Sequence, residues 1–471
     1  MKHSFRPHFE IMRLAAPIAG LQLAQIALTS IDLMMMGLLS VKAVAAGGLA
    51  VLLYNQLRTM CVGMVTGVGN LVASAVGRGE RRTGTGELDE QAEHEIADLL
   101  RAAMLIATLG AIVGGGLLSV VGFFLPRFGQ EPAVVDLARP VMFALMPGLL
   151  PMLWLNVLRQ FAVGLRRAGS LLRVAVISMG VNALLNALFI YGWFGMPRLG
   201  LTGIGLSTTL VQVWTFLTYL RTVRRDPQMS TLLVLDGWRA QSATVGRIAR
   251  MGVPIALTYG SEAALTSVAS LFMGTFGPVA LAASNVVNQL AYIAYQFNIG
   301  LSHGASILVS RMLAHSHPDE ISAVARQALT ISFAIMSLIG LLYATLPQIV
   351  LSPFLGAQHD PAVLVEATTL LWFAIAHQFF KGSQNIFIGL LRGLGNTKGG
   401  LKNTLIGYWV IGIPAMILCG YGLGWHGNGI WFGLCLSFAA TSLLLLRCFK
   451  ADLTAANPLK VPEQRGKPNI P

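Results

Sequence analysis

Two acidic residues stand inside long apolar stretches: Asp32 in SIDLMMMG and Glu262 in YGSEAALTS. An ionised side chain at the centre of a bilayer costs about 2.5–3.5 kcal/mol on insertion scales, so each acid is a functional candidate. Burial among apolar helices favours the neutral acid over the carboxylate, which lets such a group load and release a proton. That chemistry is cation coupling, and the competing reading at either position is an acid merely held by a nearby Arg or Lys. Asn182 and Asn186 are spaced i, i+4 and share one helix face. Amides cannot titrate, so they would tune an acid by hydrogen-bonding both of its protonation states, or else serve as interhelical glue. His377 and Lys381 lie one turn apart in a later apolar stretch, where the histidine would be a further titrating group. Asn288, Gln289 and Tyr292, with Asn285 and Gln296, form one polar stripe expected to face a cavity, with packing on polar neighbours as the alternative. His303 reads as structural, and Arg58 and Arg159 would snorkel or bind a lipid phosphate.

These residues need a membrane-embedded scaffold, and the composition supplies one. Of 471 residues, 55 % are apolar and only 11 % charged, against roughly 25 % charged in soluble domains. Apolar runs of about 20 residues predict twelve spans: 14–39, 45–76, 97–124, 136–162, 171–194, 199–220, 248–275, 280–311, 324–352, 362–391, 402–423 and 427–449. Their loops and flanks distribute Lys and Arg unevenly. Twenty-six fall on the side of the termini and four (Lys42, Arg127, Arg139 and Arg198) on the other, leaving Arg58, Arg159 and Lys381 within spans. Positive charge marks the cytoplasmic side, so both termini are expected there, in a cell membrane and, for a bacterium, the inner membrane. The same bias explains the net charge of +13 without a nucleic-acid partner. The basic leader precedes an apolar stretch too long for a signal peptide, so the first helix is expected to be retained.

The chain repeats itself at an offset of 237 residues. Pro17-Ile18-Ala19 falls on Pro254-Ile255-Ala256, Ala27-Leu28-Thr29-Ser30 on Ala264-Leu265-Thr266-Ser267, and Gly63 and Gly67 on Gly300 and Gly304. An even number of spans per half makes the repeats parallel, related by an axis along the membrane normal. The expected fold is therefore all-α and integral to the membrane, with twelve transmembrane helices in two parallel six-helix repeats around a central cavity. Residues 1–220 form one lobe, 221–246 a cytoplasmic linker, 247–449 the second lobe and 450–471 a polar tail. Under the repeat Glu262 lies over Gln25, seven residues from Asp32, so the two acids point into their lobes at different depths.

SIDLMMMG, LVASAVGRGE at 71–80, GLLRGLGNTK at 389–398 and YWVIGIPAMIL at 408–418 together resemble the multidrug and toxic compound extrusion (MATE) transporters, nearest the NorM-like branch of the multidrug/oligosaccharidyl-lipid/polysaccharide (MOP) flippase superfamily. The resemblance implies a two-lobed antiporter that expels cationic, often aromatic compounds in exchange for protons or sodium ions. It also places Asn182 and Asn186 near the acid of the first helix. One position departs from the pattern. Where NorM-like members carry an acid eleven residues before the arginine matched by Arg392, this chain has Lys381, and His377 replaces an aromatic hydroxyl one turn earlier. Lys381 is expected to pair with Glu262, standing where a cation would bind, which favours protons over sodium.

The leading expectation is a proton-coupled exporter of amphipathic, cationic organic molecules that works by rocking-bundle alternating access. It would act as a monomer, with small molecules and the lipid bilayer as its partners and no cofactor or metal. The alternatives are sodium-coupled efflux, or export or flipping of an anionic or lipid-linked substrate. No GxxxxGK[ST] motif is present, so ATP does not drive it directly. Cys61, Cys419, Cys435 and Cys448 show no CxxC pair and hence no zinc or disulfide pattern. His303, His377 and Glu262 lie scattered over separate spans, which argues against a membrane-embedded enzyme.

Overall fold

A computed structural model describes residues 7–84, 87–128, 132–167, 169–315, 318–354 and 361–455. Lys2 and Arg6 in the leader, and Lys460, Arg465 and Lys467 in the tail, lie outside the described residues. Lipid offers backbone groups no hydrogen-bond partner, so a spanning segment must satisfy its own N–H and C=O groups as a helix. Twelve spanning units follow. In the first lobe they are α1 (Pro7–Gly37), α2 (Val41–Thr66 and, past Gly67, Val68–Thr83), α3 (Glu90–Phe124), α4 (Pro132–Leu145 and Leu149–Gly164), α5 (Gly169–Tyr191) and α6 (Leu201–Arg225). In the second they are α7 (Ser242–Thr275), α8 (Pro278–His315), α9 (Pro318–Thr345), α10 (Pro361–Gly393), α11 and α12 (His426–Ala455). Within α11, Thr397–Leu405 and Ile413–Ile417 are separated by a π-helical stretch, Ile406–Gly412. There Ser437 of α12 donates to the Gly407 carbonyl at 3.0 Å.

Nine spans are long and apolar enough to cross a membrane by length and composition alone, among the described residues. The other three, α6, α7 and α8, are the helices that carry Thr208, Glu262 and Tyr295. Ile112, Val113, Phe123, Leu271 and Leu338 are exposed on the outer wall, as a lipid-facing surface requires. Local sequence sets many helix ends. Proline opens α4, α8, α9 and α10, where its missing N–H costs nothing. Ser40 caps α2 through Ala43 N, and Asp89 caps α3 through Ala92 N.

Between the second and third spans, the charged segment 79–98 is largely helical: α2 runs through Thr83 and α3 begins at Glu90. Both helices project past the apolar zone and pair their charges there, Arg82 with Asp89 and Arg78 with Glu95. In the linker after α6, the Arg101 guanidinium donates to Asp236 at 2.9 Å and holds that carboxyl below the usual carboxylate range.

Separate apolar cores fill the first lobe and the far part of the second, while a third joins Ile11, Leu14 and Ile18 of α1 to Leu301, Ala305 and Leu308 of α8. The junction obeys the sequence repeat. A Cβ built at Gly63 would lie 2.6 Å from Ala256 Cα, and one at Gly300 would lie 2.6 Å from the Ala15 carbonyl oxygen and 2.9 Å from Ala19 Cβ. Gly63 and Gly300 are repeat-equivalent, as are Ala256 and Ala19, so α2–α7 and α8–α1 form one two-fold-related contact. Among the described residues, every hydrogen bond between lobes lies at or beyond Gln56–Gly260 toward the end that carries the basic residues. Asn70 donates to Ser306 and Ser310, Arg311 pairs with Glu80, and Arg247 pairs with Glu95. The lobes are thus closed at the basic end.

Candidate functional site

The first acid sits where α1, α5 and α6 meet, near the end opposite the basic one. Asp32 is 8 % exposed; its Oδ1 accepts from Asn186 Nδ2 at 2.8 Å and its Oδ2 from Thr208 Oγ1 at 3.0 Å. Asn186 Nδ2 also reaches Asn182 Oδ1 at 3.3 Å. Two features suit this cluster to either protonation state. Thr208 has one hydroxyl proton but two acceptors at 3.0 Å, Asp32 Oδ2 and the Ile204 carbonyl. It can therefore give its proton to Ile204 and accept one from a protonated Asp32. Asn186 Oδ1 and Asn182 Nδ2 are buried without partners, leaving an amide acceptor free for a carboxyl O–H.

The same helices line a small cavity of about 40 Å³ inside the first lobe, with Gln25, Asn156, Arg159, Ser178, Gln212 and apolar side chains in its wall. Gln25 lies seven residues, ~10 Å, from Asp32 on α1. Ser178 stands eight residues before Asn186 on α5, and Gln212 four after Thr208 on α6. The cavity therefore lies on the same three helices as the acid, about two turns nearer the basic end.

In the second lobe Lys381 Nζ lies 3.2 Å from Glu262 Oε1, with both side chains 13–14 % exposed. The expected pairing is present. The ammonium also sits over the rings of Tyr295 and Phe438, at 4.3 and 5.2 Å from their centroids, and Tyr295 donates to Glu262 Oε2 at 3.3 Å. Asn385 in turn donates to the Tyr295 hydroxyl. Under the repeat, Glu262–Tyr295 occupies the positions of Gln25–Arg58, which are bonded at 3.3 Å. The lobes have kept a two-residue contact and changed its chemistry.

His377, one turn from Lys381, is 5 % exposed and packs edge-on against Trp431 and Phe438; its Nδ1 has no partner among the described residues. The structure does not bring it to Glu262. The stripe on α8 stands apart from both acids: Asn288 donates to Ser284 Oγ at 3.4 Å, Gln289 is half-buried, and Tyr292 is 47 % exposed. Tyr295 is the α8 tyrosine that reaches Glu262, and neither it nor Thr208 stood out in the sequence. Arg392, counted there with the loop cations, is 3 % exposed and donates to Ser306 Oγ and the Tyr259 hydroxyl. Among the described residues no three His, Cys, Asp or Glu side chains gather into a metal-binding group.

Comparison with known proteins decides the family. The MatE family model matches residues 17–188 and 254–418, one stretch in each lobe. The chain belongs to the MatE family. This MatE protein is 34 % identical over 443 residues to the probable multidrug resistance protein NorM of Pseudomonas aeruginosa, covering 93 % of this chain and 88 % of that one. It is 31 % identical to the NorM of Rhizobium meliloti, covering 94 % and 93 %. Its fold is that of the eukaryotic MATE transporter AtDTX14, with a TM-score of 0.80, 18 % identity and coverage of 96 % and 98 %. It also superposes, at a TM-score of 0.81, 16 % identity and 96 % coverage of both chains, on an outward-facing MATE transporter of the MOP superfamily. The MatE chain is a multi-pass membrane transporter, not an enzyme.

Proposed function

We propose that this transporter is a multidrug exporter that moves amphipathic organic molecules out of the cell in exchange for protons, with Asp32 as the coupling acid. The observation that carries this reading is the Asp32 cluster, a buried carboxyl whose Thr208 and Asn186 partners can hydrogen-bond it ionised or neutral. An acid that binds a proton from one side and yields it to the other needs such partners in both states. Sodium is the weaker reading, because a hard cation needs clustered oxygens and the ammonium of Lys381 already occupies Glu262 Oε1. The basic end is the cytoplasmic one by its charge, and in a bacterium the location is the inner membrane. The interlobe hydrogen bonds gathered at the basic end support reading this as an outward-open state, and rocking about the glycine contacts at Gly63 and Gly300 would expose the site inward. The protein works as a monomer, with small molecules and lipid as its partners and no cofactor.

The test is efflux from proteoliposomes under an imposed proton gradient and, separately, a sodium gradient. Proton-driven efflux of an amphipathic dye is expected, with Asp32→Asn reducing it about a hundredfold or more, on the scale of removing an essential acid–base group. Efflux driven by sodium alone, or Asp32→Asn protein that still exchanges protons, would sink the reading.

A further inference from the structure

The chain between the lobes, 226–241, is bound to the first of them along its length. Asp226 caps a short helix, Pro227–Leu232, whose Met229 and Leu232 are buried in the core of the first lobe. Arg167, between α4 and α5, pairs with Asp226 and donates to Gln228 Oε1 at 2.7 Å. Arg101 of α3 donates to Asp236 at 2.9 Å, and Gly237 lies flat on the same helix. A Cβ built at Gly237 would stand 3.2 Å from Leu105 N and 3.4 Å from the Arg101 carbonyl oxygen. Each of these contacts ends on the first lobe, so the linker belongs to it mechanically. Only Ala240 and Gln241 then separate it from the start of α7 at Ser242.

This path carries Trp238 to the rim of the lipid-facing wall. Arg101, Leu105 and Ile112 recur on one face of α3, and Ile112 lies seven residues, ~10 Å, past Leu105. From Leu109 and Ile112 onward that face is exposed on the outer wall, as lipid requires. Trp238, the residue after Gly237, is itself 81 % exposed. An indole joins a large apolar body to one N–H donor, which suits the boundary between acyl chains and headgroups. Arg239 is exposed beside it, and Arg224 and Arg225 are exposed where the linker begins. The acids of this region are already held, Asp98 and Asp236 by Arg101 and Asp226 by Arg167. Arg239 reaches Asp236 only at 3.9 Å. Among the described residues, Arg224 and Arg225 have no acidic partner within salt-bridge distance. A guanidinium is a planar fork that matches phosphate, and clustered arginines are drawn to an anionic membrane surface. We propose that the linker is a membrane-surface strap: Trp238 sits at headgroup depth, and Arg224, Arg225 and Arg239 receive the phosphates of anionic phospholipid in the leaflet at the basic end. The strap ties the first lobe to the bilayer and leaves α7 and the second lobe to move against it. It does so whichever cation drives transport.

The test uses the full chain in nanodiscs of phosphatidylcholine with a minority of phosphatidylglycerol. The difference in tryptophan emission between the wild type and Trp238→Phe reports Trp238. Bromine quenches an indole only near contact. Lipids brominated close to the glycerol end or close to the chain terminus therefore give the depth of Trp238, and brominating either the phosphatidylglycerol or a matched minority of phosphatidylcholine gives its neighbours. Shallow bromines should quench the Trp238 signal more than deep ones. Phosphatidylglycerol should quench it with a constant at least about fivefold that of phosphatidylcholine, the worth of one arginine at an anionic surface. Replacing Arg224, Arg225 and Arg239 together by Gln should bring that ratio close to one while the shallow-over-deep order stays. Raising the salt should do the same to the wild type, since exposed charges are screened. Emission quenched by aqueous iodide and by neither brominated lipid would place the linker in water and overturn the proposal. Deep bromines outdoing shallow ones, equal quenching by the two lipids in the wild type, or a phosphatidylglycerol preference that survives the glutamine substitutions would overturn it as well.

Discussion

Glu262 and Lys381 show how one substitution of residue type redirects a site. Two charges 3.2 Å apart and mostly shielded from solvent neutralise each other, but each alone would be stranded in an apolar lobe. Removing one partner of a buried pair is strongly destabilising, by about 3–5 kcal/mol, because the other charge is left uncompensated. Lys381→Met and Glu262→Gln should each lower the melting temperature in detergent, and the double variant should melt closer to the wild type than either single one. Additive losses, measured as a double-mutant cycle, would mean that the pair does not act as a unit. The pairing was legible in the sequence because a lysine and an acid inside apolar spans have few other places to go. Thr208 was not. Threonine hydroxyls in membrane helices usually bond the carbonyl four residues back, and nothing in the spacing separates Thr208 from Thr209, whose hydroxyl goes to Ala144 O at 2.6 Å. Tyr292 and Tyr295 differ in the same way. The stripe spacing selects Tyr292, yet the face presented to α7 is that of Tyr295.

At the scale of helices, the ends are set locally and the paths by packing. Asp89 caps α3 through Ala92 N at 3.1 Å and also binds Arg82 at 2.6 Å; that guanidinium holds its carboxyl below the usual range. Asp89→Ala should loosen the start of α3 by removing its N-cap, read as faster amide exchange over the first turn of α3. The sign with pH follows from the lowered carboxyl: the contribution is present above the ordinary Asp pKa and disappears as pH falls through the folded-state value. Unchanged exchange in the variant would show that α3 is held by packing alone. By contrast, the π-helical stretch of α11 answers to α12, because Gly407 and Gly412 let Ser437 and Thr441 come close, and no local signal in YWVIGIPAMIL demands it.

For the whole molecule the decisive contacts are the two glycine crossings, Gly63 on Ala256 and Gly300 on Ala19. A side chain there meets backbone, which cannot yield, so closure at the basic end must open. Gly63→Val and Gly300→Val should each shift the population away from the closed state, seen as longer spin-label distances across the cytoplasmic end. Their near-equal effects would reflect the two-fold relation. Distances unchanged in both variants would mean that the interlobe ion pairs, Glu80–Arg311 and Glu95–Arg247, set the closure by themselves.

The amino-acid order alone shows that the chain spans a membrane twelve times in two parallel halves and that two acids, Asp32 and Glu262, stand inside apolar spans. Those facts follow from local hydrophobicity, charge placement and repetition, each carried by residues close together in the chain. Which side chains meet was decided only by tertiary structure. Thr208 reaches Asp32 across 176 residues, and Asn70 reaches Ser306 across 236. Proximity between distant segments depends on packing geometry, and no periodicity in a single helix encodes it.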